Sequence, residues 1–297
     1  MLSLIHADSH PQSQRMLRQI ANLAWVFLFL CGCAQINPIQ RPSENFDHRI
    51  KHIVIHYTSQ DLQTSLTTLT KSSDYPVSSH YLISSEVRGR GDAQTALLYQ
   101  LVNEQDRAWH AGISTWGDDR ALNYTSIGIE IVNESGCELP IQQLGNTPAF
   151  YSSCAFKPFS SAQISTLTRL IHDLQKRYPD IKPINILGHS DIAPDRKVDP
   201  GPNFPWKQLF DQGIGTWFDD NDLRFFLDQF TTKRPTVLET QRQLSRIGYA
   251  IKLSGEQDRQ SQMVVRAFQA RYVPENFSGI LDITTEAIIF SIAKKYR

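Results

Sequence analysis

The pattern of apolar and polar positions divides the chain into two textures. Up to about residue 218, short β-branched runs dominate. Ile50-Lys51-His52-Ile53-Val54-Ile55-His56-Tyr57 predicts a strand, because Ile and Val favour the extended backbone. His80–Ile83, Leu98–Val102 and Ser126–Val132 predict three more. In the last of these, Ile127, Ile129 and Ile131 share one face, while Gly128, Glu130 and Val132 share the other. Over 160–178 the period changes to that of a helix. Ser160 and Gln163 form a capping-box pattern, Ile164, Leu167, Leu170, Ile171 and Leu174 mark one face, and Pro179 stops it. Ile184–Leu187 predicts a further strand leading into Gly188-His189. The stretch 190–206 is rich in Pro and Asp and is expected to be irregular.

Strands and helices in this order predict an α/β fold, a mixed central β-sheet flanked by helices. Beyond about 220 the pattern is helical only. Val237, Leu238, Gln241, Leu244 and Ile247 mark one face, with Gly248 as a C-cap. Met263, Val264, Ala267 and Phe268 mark a second helix. Ile283, Ala287 and Phe290 mark a third, with Asp282 as N-cap. These predict a small, separate C-terminal three-helix domain. The expected organisation is a catalytic-sized domain over 46–218, a linker over 219–233 and the helical domain over 234–297.

Composition narrows the partners. The 297 residues carry 30 Lys+Arg against 30 Asp+Glu. A chain without net charge has no long-range field for phosphate, so no nucleic acid partner is expected. Near the start, Arg15 and Arg18 precede the apolar run Leu23–Leu30, and Cys31-Gly32-Cys33-Ala34 follows it. Basic, apolar and small residues in that order describe an export signal over 1–33. The run falls short of the roughly 20 residues that span a bilayer. Its ending resembles a bacterial lipobox, which implies lipidation of Cys33 and a membrane anchor. Ala34 in place of Asp then implies the periplasmic face of the outer membrane in a Gram-negative source. Residues 1–14 fit no signal, so translation is expected to start at Met16, and 34–45 read as a tether. Export permits a disulfide between Cys137 and Cys154, with two buried free thiols as the alternative.

Candidate chemistry lies on the loops and strand ends. A hydrolytic zinc site needs about three protein ligands and one open position for water. His56, His189 and Asp199 are candidate metal ligands. His52 competes with His56. The two lie on one strand face roughly 13 Å apart, so they cannot share an ion. Asp191 and Asp195 remain alternative carboxylates. Lys197 and Asp199 alternate, so an extended segment points both the same way, and Pro200 favours that conformation.

The segment from Gly188 to Pro202 resembles the signature of the zinc-dependent N-acetylmuramoyl-L-alanine amidases of the type 2 family. Ile55-His56-Tyr57-Thr58, Ser79-His80-Tyr81-Leu82-Ile83, Trp109-His110-Ala111-Gly112 and Ser126-Ile127-Gly128-Ile129-Glu130 match its other blocks in order. The resemblance covers about 46–215, and it extends to family members that carry a C-terminal peptidoglycan-binding module. It implies one Zn²⁺ on His56, His189 and Asp199, with Glu130 and Lys197 as catalytic residues. Glu130 would move the proton and Lys197 would stabilise the oxyanion. Trp109 either stacks on a sugar or fills the core. His110 is a possible substrate contact, and His80 is structural. The implied partner is peptidoglycan or a muropeptide, with no obligate protein partner. Gly279-Ile280-Leu281-Asp282-Ile283-Thr284-Thr285 resembles a Gly-x-x-Asp-x-x-Thr turn of peptidoglycan-binding modules; its other reading is a capped helix start. Two rival functions stay open: a peptidoglycan receptor that does not cut, and a zinc peptidase that cuts within the stem peptide.

Overall fold

The computed structural model describes residues 37–89, 94–138 and 153–297. The expected signal region, with Met16 and Cys33, lies outside the described residues. Residues 37–47 contain neither helix nor strand. His48–Arg297 form one compact unit.

Five strands make its central sheet. They are β1 (His52–Tyr57), β2 (Tyr81–Arg88), β3 (Thr95–Gln100), β4 (Ser126–Ile131) and β5 (Ile186–Gly188), in the spatial order β3-β2-β4-β1-β5. β1 runs parallel to β4 and β5, and β2 parallel to β4. Only the edge strand β3 is antiparallel to its neighbour. Every residue of β1 is buried. A parallel strand covered on both faces requires that, and it explains why β1 reads as a continuous apolar run.

Each face has its own cover. Ile53, Ile55, Ile127, Ile129, Ile131 and Ile186 pack with Ile164, Leu167, Ile171 and Leu174. These last four come from the long helix Ser161–Arg177, which follows the shorter helix α1 (Leu62–Thr70) and is numbered α2. Its capping box is formed: Ser160 Oγ accepts from the Gln163 amide at 3.2 Å, and Gln163 Oε1 accepts from the Ser160 amide at 3.0 Å. The opposite face presents Val54 and Leu187, which pack in one core with Leu244, Val264, Phe268 and Ile289 from the C-terminal helices.

Two expectations about the backbone change. The chain from 190 is not wholly irregular, because it opens with one helical turn, α3 (His189–Ile192). After α4 (Trp206–Asp211), the stretch expected as a linker holds helix α5 (Asp220–Thr232). Leu223, Phe226 and Phe230 repeat at helical spacing, and both Phe rings pack against Phe290, at 5.5 and 5.0 Å between centroids.

The remaining helices are α6 (Val237–Ile247), α7 (Arg259–Tyr272) and α8 (Ile283–Tyr296). Their apolar residues share a core with Val54 and Leu187 of the sheet. In the Gly279–Thr285 turn, Asp282 caps α8 by accepting from the Thr285 amide at 2.7 Å. Gln269 holds the rest of the turn, accepting from the Gly279 amide and donating to Thr285 Oγ1. A two-residue ribbon pairs Gly136–Cys137 with Cys154–Ala155, and Cys137 and Cys154 are joined by a disulfide.

Candidate active site

The register of the sheet brings the first two groups together. His56 lies opposite Glu130 across β1 and β4, on the face away from α2. β5 ends at Gly188 and hands the chain to His189. The Ser190 amide donates to the carbonyl of Asp199 at 2.9 Å and ties the following loop back over this edge. His56, His189 and Asp199 are all buried. His56 Nδ1 lies 2.9 Å from His189 Nδ1 and 3.0 Å from Asp199 Oδ2, and the third separation is 3.1 Å.

The outer nitrogens decide which ring atoms face inward. His189 Nε2 is 3.1 Å from the carbonyl of Ala111, which can only accept, so Nε2 carries the proton. Ser126 Oγ donates to the carbonyl of Leu122 at 2.5 Å and therefore accepts from His110 Nε2 at 3.2 Å. That leaves His110 Nδ1 as an acceptor, and His56 Nε2 donates to it at 3.0 Å. Both ligand imidazoles thus turn an unprotonated Nδ1 toward Asp199, the arrangement in which outer hydrogen bonds orient a metal-binding histidine.

Charge agrees with this. Burial pushes His189 down to about 4, against a smaller opposing pull from Asp199. Burial acts to raise the Asp199 carboxyl, but its two histidine neighbours, His189 first and then His56, outweigh it and hold the group well below the usual range. Two imidazole nitrogens and one carboxylate oxygen, converging within 3.1 Å, fit a zinc ion.

A cleft of about 370 Å³ opens over the triad. Glu130 lines it, and its Oε2 is buried without a hydrogen-bond partner among the described residues. Burial raises the Glu130 carboxyl to about 6; Asp199 adds to the rise, while His56 and Lys197 oppose it. Lys197 is half-buried on the same cleft. Trp109 also lines the cleft and is 44% exposed, so it does not fill the core. Cys137 and Gly136 bring the disulfide ribbon to the wall.

The other candidates fall elsewhere. His110 has both ring nitrogens engaged by His56 and Ser126, so it supports a ligand and offers no ring atom to a substrate. His80 accepts from the Gly128 amide through Nδ1 and donates to the carbonyl of Asp106. His52 is buried beside Asp119, at 3.4 Å. Asp191 is committed to other partners, and Asp195 is exposed. Sequence reasoning missed Arg196 and Asn123. Arg196 bonds the carbonyls of Ala111 and Ile113, and Asn123 Oδ1 accepts from the amides of His110 and Ala111 at 3.1 and 2.7 Å. No local pattern marks either one.

A buried His–His–Asp set at the carboxyl edge of parallel strands, with a carboxylate and an ammonium beside it, has the donor set of a single-metal hydrolytic site. Residues 46–202 match the family model described as N-acetylmuramoyl-L-alanine amidase, and 233–289 match a putative peptidoglycan binding domain. The chain belongs to this amidase family. It is 39% identical over 294 residues to N-acetylmuramoyl-L-alanine amidase AmiD of Escherichia coli K12, covering 94% of this chain and 99% of that protein. The crystal structure of AmpDh3 from Pseudomonas aeruginosa in complex with anhydromuramic pentapeptide superposes with a TM-score of 0.77 at 34% identity, covering 89% of this chain and 99% of that one. The E. coli AmiD complex with anhydro-N-acetylmuramic acid-L-Ala-D-γ-Glu-L-Lys gives 0.72 at 39% identity, covering 86% and 93%.

Proposed function

We propose that the chain hydrolyses the amide between the lactyl group of N-acetylmuramic acid and L-alanine of the stem peptide, using one zinc ion held by His56, His189 and Asp199. The observation that carries this is the convergence of three donor atoms within 3.1 Å beside Glu130, whose buried Oε2 has no hydrogen-bond partner among the described residues. A bound zinc ion supplies a Lewis acid for the amide carbonyl and lowers the pKa of water to near 7. Glu130 accepts a proton from the attacking water and returns it to the departing amine of L-alanine. The Lys197 ammonium compensates the oxyanion as the carbonyl becomes tetrahedral. The C–N bond breaks, leaving a carboxylate on the lactyl group and a free amino group on the peptide. Trp109, exposed on the rim, offers a ring face to the sugar.

An amidase of this family acts on the cell envelope. A lipid anchor on Cys33, reaching the periplasmic face of the outer membrane, would place the cleft beside the polymer, and the C-terminal module would hold it there. Labelling by palmitate that is lost in Cys33→Ala tests the anchor.

The deciding assay is turnover of anhydro-N-acetylmuramic acid-L-Ala-D-γ-Glu-L-Lys with mass analysis of the products. Free intact stem peptide, released only without chelator and restored by Zn²⁺, is the expected result. Cleavage inside the peptide would establish the peptidase reading. Binding without turnover by metal-loaded protein would establish the receptor.

A further inference from the structure

We propose that the C-terminal helices are a working part of the metal centre, and that Arg271 and Tyr249 are positioning residues acting through Asp191 on His189. The proposal rests on His189 being a metal ligand. His189 sits on α3, a single turn that has little stability of its own. What pins that turn is Asp191, which is 2% exposed. Its Oδ2 accepts from the Gly188 amide at 2.8 Å and from Arg271 Nη1 at 3.0 Å, and its Oδ1 accepts from the Tyr249 hydroxyl at 2.5 Å. The residue before His189 is therefore tied to the carboxylate of the second residue after it, and two of that carboxylate's three donors come from beyond residue 247.

Arg271 is 4% exposed and grips the same segment at a second point. Nη1 also donates to the carbonyl of Ile186, at 3.1 Å, and Nη2 donates to Thr216 Oγ1 at 3.1 Å. Its guanidinium lies 4.0 Å from the centroid of Trp206. Tyr249 is aimed by its own turn. Gly248 has φ 138°, and a Cβ there would lie 2.5 Å from the Trp116 ring. The carbonyl of Gly248 accepts from the Gly117 amide at 2.7 Å. Apolar residues would cover this face of the sheet as well as a buried ion pair does, and with less desolvation; such pairs are weak sources of stability. A fan of three donors on one carboxylate does something an apolar patch cannot. It selects one position for the turn that carries His189.

The test uses the full chain with Tyr249→Phe and Arg271→Lys. Metal affinity is read by competition with a chromophoric chelator, and ligand geometry by the visible spectrum of the cobalt-substituted protein. Ile292→Ala, buried in α8, which carries none of the donors to Asp191, serves as a control that lowers Tm. Both clamp variants are expected to lose about tenfold or more in metal affinity, the usual scale for outer-shell partners. Their cobalt spectra shift and kcat falls, while KM for the muropeptide holds and Ile292→Ala keeps wild-type affinity and spectrum. Wild-type affinity and spectrum in Tyr249→Phe overturn the proposal, even if Arg271→Lys fails to fold. Equal loss in Ile292→Ala overturns it too, because the effect is then general loosening. A wild-type chain that binds no metal removes the reading of the site along with it.

Discussion

Glu130 sets folding against chemistry at a single residue. Burial raises its carboxyl from 4.5 to about 6. As a general base it must be ionised, so kcat/KM falls as pH drops through its pKa. A bound cation pulls that pKa lower, which puts the acid limb at or below pH 6, and a pH–rate profile checks this. The same shift acts on stability. A carboxyl whose pKa is raised on folding favours the fold only below its unfolded value, and that contribution is lost as pH rises through the folded value. Metal-free Glu130→Gln is therefore expected to exceed the wild type in stability by about 1–2 kcal/mol at pH 7.5, with the gap closing near pH 4 in urea melts. Its turnover should collapse. Lys197→Ala should keep the metal and lose about 10²–10³ in kcat, the scale for one oxyanion group; wild-type turnover would remove the role. The residue types were legible in the sequence, but the position of His110 was not. Only its contacts with His56 and Ser126 distinguish a support from a substrate contact.

At the level of elements, the strands hold the site by register and close approach. Gly128 lies where a Cβ would be 2.4 Å from the His110 ring. Gly128→Ala must displace either β4 or His110, and with His110 the acceptor to which His56 Nε2 donates. Overpacking of this kind costs about 1–3 kcal/mol. The expected outcome is a lower Tm and weaker zinc binding, seen together by calorimetry and chelator competition. By contrast, Ser160→Ala removes only the cap of α2. It should cost about 1 kcal/mol and leave metal affinity unchanged. The Ile periodicity of β4 and the capping box of α2 could be read directly, because both are local patterns. Residues 219–233 read as a linker in the sequence although Leu223, Phe226 and Phe230 repeat at helical spacing, because the partner of that face, Phe290, lies far along the chain.

Across the whole molecule, the C-terminal helices supply part of the cover of the sheet's second face, since Val54 and Leu187 share a core with them, while Leu82 and Val132 pack on α1. A parallel sheet bare on one face would expose that core to water. Residues 48–297 are therefore expected to unfold in one calorimetric transition; two separated transitions would contradict the shared core. Chelation should lower its midpoint, because an ion that binds only the folded state stabilises it by RT ln(1 + [L]/Kd). The sequence by itself determined the α/β order of elements, the apolar faces and the set of residues able to bind a metal. Each is a short-range pattern or a residue identity. The family resemblance already pointed to Asp199, but tertiary structure alone decided which imidazole nitrogen faces inward and that the last helices share a core with the sheet. Those outcomes depend on contacts such as His56–Asp199, Tyr249–Asp191 and Arg271–Asp191, at separations of 143, 58 and 80 residues. Asp191 and Asp199 look alike in the sequence. The difference between ligand and anchor comes from which groups the fold brings to each carboxylate.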